Sequence, residues 1–113
     1  MVDRERMAAA HELFDPIARD HLALADVDMG RMFGTEGLRV RGKVYAFVGH
    51  DGDLIVKVHA ARVADLVDSD GAQPMVMRGR PMREWVTVGP DAGATRWAEL
   101  IDEARAFVDS LTP

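Results

Sequence analysis

The stretch Leu38-Arg39-Val40-Arg41-Gly42-Lys43-Val44-Tyr45-Ala46-Phe47-Val48-Gly49-His50-Asp51-Gly52-Asp53-Leu54-Ile55-Val56-Lys57-Val58 decides the fold. In Leu38 to Arg41, apolar and basic side chains alternate, the period of a half-buried strand. Arg41-Gly42-Lys43 suits a tight turn. Val44 to Val48 then reads as a second strand, with Val44, Ala46 and Val48 on one face and Tyr45 and Phe47 on the other. Gly49 to Asp53 is a turn whose Asp51-Gly52 pair supplies the positive φ that hairpins favour. Leu54 to Val58 is a third strand, Leu54, Val56 and Val58 opposing Ile55 and Lys57. Three strands joined by two short turns predict an antiparallel meander.

On both sides of this meander the period lengthens to that of a helix. Asp3 to about Ala25 repeats Met7, Ala10, Leu13 or Phe14, Ile17 or Ala18, and His21 at three-to-four spacing. Pro16 lacks an N–H and predicts a kink or two short helices in series. Asp26 to Gly37, with Gly30, Gly34 and Gly37, reads as a connector. After the meander, His59 to about Asp68 is helical, with Val63, Leu66 and Val67 as its stripe and Gly71 as a cap just beyond. Pro74 to Met77 is a short strand whose proline suits an edge or a first position. Arg78 to Pro81 is a loop, and Glu84 to Val88 is a fifth strand. The last helix starts at Ala94 or Thr95 and ends near Ser110, with Trp97, Leu100 or Ile101, Ala104 and Val108 facing inward. The expected class is α+β: a two-layer sandwich with a five-stranded antiparallel sheet, helices on one face, in the order α-β-β-β-α-β-β-α. No linker or repeat interrupts residues 1–113, which therefore read as a single domain.

Composition narrows the function. Cysteine is absent, which excludes disulfides and thiolate metal sites. No apolar run is long enough for a membrane span, and the first residues lack a signal core, so the expected address is cytoplasmic. The net charge of −5 argues against a generic nucleic-acid binder. Yet residues 31–57 and 74–85 each carry a net charge of +2, so the cations gather in the predicted strands. Arg outnumbers Lys twelve to two and Asn is absent, a bias that fits GC-rich codon usage.

Groups that could carry chemistry are scattered. His11 and His21 are ten residues apart, not the i, i+4 spacing of a helical metal pair. His50 with Asp51 and Asp53 offers three ligands in a turn, where polar residues are ordinary. Ser69 and Ser110 have no nucleophile-elbow context. Neither Thr35, Thr87, Thr95 nor Thr112 has a base nearby in sequence. Carboxylates such as Asp65 with Asp68, and Asp102 with Glu103, suit a solvated helix face. Gly30 to Gly37 leads into a strand rather than a helix, so it lacks a phosphate-binding geometry. No catalytic residue, metal site or cofactor is expected. The candidate binding surface is the basic set Arg39, Arg41, Lys43, Lys57, Arg78, Arg80 and Arg83, with Arg39 and Arg41 on one strand face. The candidate interface is Tyr45, Phe47, Ile55 and Trp85: if the helices cover one sheet face, these leave the other apolar, and such faces mark contacts.

Met32-Phe33-Gly34, Gly37-Leu38, Gly42-Lys43 before a strand, and Leu54-x-x-Lys57 form an ordered set, followed by Gly79-Arg80-Pro81-Met82-Arg83-Glu84-Trp85-Val86. This set resembles the TfoX N-terminal domain family, whose wider relatives include the YjbR-like proteins, over roughly Gly30 to Val108. The resemblance implies an α+β sandwich similar to secretion-chaperone-like folds, and it brings no catalytic residues. The family is named for a regulator of natural competence that acts with a transcription factor and has a second, helical domain; this chain of 113 residues is expected to be a stand-alone member. The leading expectation is therefore a non-enzymatic, regulatory interaction module, homodimeric or bound to a protein partner. The alternative is a nucleic-acid-binding protein that uses the basic strand face and the Arg78–Arg83 loop.

Overall fold

Three helices lie on one face of an antiparallel six-stranded sheet in the computed structural model, which describes residues 4–32 and 35–111. The order is α1 (Arg4–Leu22), β1 (Val27–Met32), β2 (Thr35–Val40), β3 (Lys43–Val48), β4 (Leu54–Lys57), α2 (Ala60–Asp70), β5 (Gln73–Met77), β6 (Arg80–Val88) and α3 (Ala94–Leu111). The sheet runs β1-β2-β3-β4-β6-β5, which makes β5 an edge strand, as Pro74 suggests. The α+β class holds, with one strand more than the five expected. None of the described helices is long and apolar enough to cross a membrane. Asp3, Phe33, Gly34, Thr112 and Pro113 lie outside the described residues.

The extra strand is β1, within the expected connector. Val27 and Met29 alternate with Asp28 and pack against the core, but Gly30 within the strand, with Gly34 and Gly37 close behind, masks the pattern. Gly30 is not a turn residue: it faces Gly37 across the β1–β2 pair, and the Arg39 side chain crosses over it. A Cβ at Gly30 would press on the Arg39 side chain, which would have to move aside.

Helix α1 is one helix through Pro16. Ala10, Phe14, Ala18 and His21 form its buried stripe, while Pro16 and Glu12 face water. The carbonyl that Pro16 leaves without a donor is therefore on the solvated side. Helix α2 starts where His59 Nδ1 accepts from the Ala61 N–H at 3.2 Å, and it ends at Gly71 in the left-handed conformation. Helix α3 buries Trp97, Leu100, Ile101, Ala104 and Val108. The Trp97 indole donates to the Gly89 carbonyl at 3.0 Å. Leu38, Val40, Leu54, Val56, Val86 and Val88 supply the sheet side of this core.

Strict alternation fails once in the meander. Leu38 pairs with Ala46 but Arg39 pairs with Val44, so Tyr45 is an extra residue in β3. Such a bulge turns two successive side chains to one face. Tyr45 and Ala46 both enter the helix-side core, and Val44 joins Phe47 over Gly37 on the open face.

Candidate functional site

The bulge separates the expected interface residues. Tyr45 is fully buried beneath α1 and is not part of the open face. Phe47, Ile55 and Trp85 do share that face: Phe47 pairs with Ile55 across β3–β4, and its ring lies 5.9 Å from that of Trp85. Lys57 Nζ sits 5.8 Å from the Trp85 ring centre. The open face is less bare than alternation implies. Phe47 is 3% exposed and Ile55 8%, whereas Trp85 remains half-buried.

The β5–β6 hairpin contributes much of this cover. Its register shifts between Pro74 and Val76, and β6 extends well past the end of β4. The hairpin comes over the sheet far enough for Val76 and Arg78 to share a cavity with Phe47, although β4 and β6 lie between β3 and β5. The cavity holds about 600 Å³, a ligand-sized volume. Phe47, Ile55 and Thr87 come from the sheet, Pro74, Met75 and Val76 from the edge strand, and His50, Asp51 and Asp53 from the β3–β4 turn. That turn is fixed from behind. Arg6 of α1 donates to the Asp51 carbonyl at 2.7 Å and to Asp53 Oδ1 at 2.6 Å. A Cβ on Gly52 would come within 2.8 Å of the Arg6 carbonyl oxygen, so glycine permits this contact.

The basic set divides by what holds each residue. Arg39 makes a two-pronged pair with Asp28, at 2.9 and 2.6 Å. The Asp28 carboxyl is held below its ordinary range chiefly by that hydrogen bond. Arg41 does not share a strand face with Arg39. It occupies the β2–β3 turn at φ 51° and reaches Asp109 at 3.4 Å and Asp26 at 3.8 Å. Arg78 sits in the β5–β6 turn at φ 54°, followed by Gly79 at φ 77°. The expected loop there is a two-residue turn, because Met77 already pairs with Arg80. Arg78, Arg80, Arg83 and Lys43 are exposed and form no ion pair among the described residues.

A second polar cluster runs from the core to the surface and is not legible from spacing. His21, only 3% exposed, bonds Tyr45 through Nδ1 and Asp102 through Nε2, each at 2.7 Å. An ionised Asp102 only accepts, so Nε2–H donates to it; neutral Nδ1 then accepts the Tyr45 hydroxyl. Burial pushes the Tyr45 phenol well above its usual range, with Arg105 pulling it down and Asp102 adding to the rise. This chain of bonds ties α1, β3 and α3 together. Tyr45 has no exposure through which to meet a ligand. The other carboxylate of the pair, Glu103, takes Arg62 of α2 at 3.0 and 3.2 Å. The Asp102–Glu103 pair thus braces helices rather than simply facing solvent. His11 pairs with Asp15 on the surface of α1 at 2.8 Å. Among the described residues no three His, Asp or Glu side chains converge as metal ligands.

The YjbR family model matches residues 22–106, three quarters of the chain, and the protein belongs to that family. The match starts beside His21 and takes in the bulged strand, the cavity and both Arg-Gly turns. No curated protein matches the chain.

Proposed function

We propose that this YjbR-family domain is a non-enzymatic module that binds a segment of another protein across the open face of its sheet. The cavity between the β3–β4 turn and the β5–β6 hairpin carries this reading. It combines an apolar floor with a few polar groups at its edge, the usual make-up of a recognition site. It also adjoins an edge strand whose Val76 is 59% exposed. A chain laid along β5 gains backbone hydrogen bonds there while its side chains reach the cavity. A partner segment is a better occupant than a second copy, because a cavity of about 600 Å³ beside an edge strand suits a few side chains of an extended chain rather than a broad flat face. The regulatory role implied by the family resemblance would be exercised through this contact.

A photo-crosslinking amino acid at Val76, in protein produced at its native level, should yield one discrete adduct. Replacing Thr87 with Trp, which fills the cavity, should abolish it. No adduct at Val76 would sink the proposal. Sedimentation velocity across micromolar concentrations should show a monomer throughout; a concentration-dependent dimer would favour self-association instead.

A second reading has its own observation. Arg80 and Arg83 project from the hairpin that also carries the half-buried Trp85, itself against Lys57, which pairs cations with an aromatic surface as single-stranded nucleic-acid sites do. Titration with DNA and RNA at two salt concentrations decides it: this reading needs an affinity that falls with salt.

A further inference from the structure

We propose that the cavity selects a peptide segment in which a bulky apolar side chain is followed by a single carboxylate, and that Arg78 is the anion anchor. This deepens the protein-binding reading and rests on it. Three observations meet at Arg78. It lines the cavity beside Val76 and Met75. It forms no ion pair among the described residues. It also holds a left-handed backbone, φ 54°, that L-residues other than Asn and Asp adopt reluctantly. Asn is absent from the chain, and Asp, though abundant, does not stand here. A strained, uncompensated cation at the mouth of an apolar cavity points to a ligand that supplies the missing charge.

The remaining charges set how many anions fit. Asp53 is neutralised by Arg6, so it neither attracts nor strongly repels. Asp51 stays exposed in the same turn, and His50 adds no fixed charge when neutral. One carboxylate on the ligand balances Arg78, while a second would meet Asp51. An acidic run or a phosphate backbone is therefore disfavoured inside the cavity. The apolar side chain rests on Phe47, Ile55 and Met75.

Amide NMR of the full chain with three synthetic tetrapeptides tests this. The probes are acetyl-Ser-Phe-Asp-Gly-amide, the same peptide with Asn in place of Asp, and one with Asp-Asp in place of Asp-Gly. The Asp peptide should move the amides of Phe47, Ile55, Val76 and Thr87, and bind about tenfold tighter than the Asn peptide, the usual worth of one charged hydrogen bond. The Asp-Asp peptide should bind more weakly than the Asp peptide. Arg78→Asn suits the left-handed turn and keeps the fold, so it should raise the melting temperature while making the Asp and Asn peptides bind equally. Equal affinity of the Asp and Asn peptides for the natural chain, with shifts still at the cavity, overturns the carboxylate and leaves the binding module standing. Absence of shifts at Phe47, Ile55 and Val76 with every peptide overturns the inference and the site together.

Discussion

The β2–β3 and β5–β6 hairpins both turn on the dipeptide Arg-Gly, with both residues at positive φ. That is the two-residue turn matched to the twist of paired strands, normally opened by Asn or Asp. The surroundings then part them. Arg41 is drawn to Asp26 and to Asp109 of α3, and β3 carries Tyr45 down to His21. Arg78 has no such partner among the described residues, and its hairpin arches over the open face with Val76 exposed. Identical local chemistry thus ends in an ion-paired corner at one side of the molecule and an exposed edge at the other. An arginine holds the left-handed region in both turns, beside two carboxylates in the first and without an ion pair among the described residues in the second.

The strongest way to break the comparison is to cut the anchor. Tyr45→Phe removes the hydroxyl on His21 Nδ1 and leaves a buried acceptor unsatisfied, at a cost of about 1–3 kcal/mol in urea unfolding. The change also has a pH signature. Because Tyr45 keeps its proton more tightly in the fold than in the unfolded chain, its contribution is complete below pH 10, the ordinary phenol value. It is lost as pH rises from there toward the folded value. The natural protein should weaken above pH 10 by more than Tyr45→Phe does; parallel curves would show that the hydroxyl is not sealed in.

Next come the glycines. Both Gly42 and Gly79 have positive φ, and a Cβ added at either would meet open space, so alanine faces only backbone strain. Each should lose about 1–2 kcal/mol, equally in the two turns. An unequal loss would mean that the turns differ in backbone as well as in partners. The smallest effect sharpens the contrast most. Arg78→Asn should gain on the order of 0.5–1 kcal/mol by easing the turn. Arg41→Asn should gain less, since it also gives up its ion pairs. Equal gains would show that the Asp26 and Asp109 contacts contribute nothing.

Much of this architecture is legible residue by residue. The stripes of α1, α2 and α3, the cap at Gly71 and the meander follow from period and turn chemistry, which act over a few residues. Strand β1 escapes because Gly30, with Gly34 and Gly37 close behind, looks like a turn former, whereas it sits in the strand beneath the Arg39 side chain. Phe47, Ile55 and Trp85 are correctly set on the open face, but their cover by the hairpin is not. His21 gives no sign of its role, because its partners lie 24 and 81 residues away.

The sequence by itself determined the α+β class, the three helical stripes, the two turns of the meander and the gathering of cations in the strands. Tertiary structure decided the rest. A bulge belongs to a pair of strands, not to one, so only the pairing of β2 with β3 could send Tyr45 inward and leave Phe47 outward. The cavity likewise exists only once β6 has entered between β4 and β5 and carried the hairpin over the sheet. Which of two like arginines is neutralised depends on charges brought near by that packing, and no local pattern encodes it.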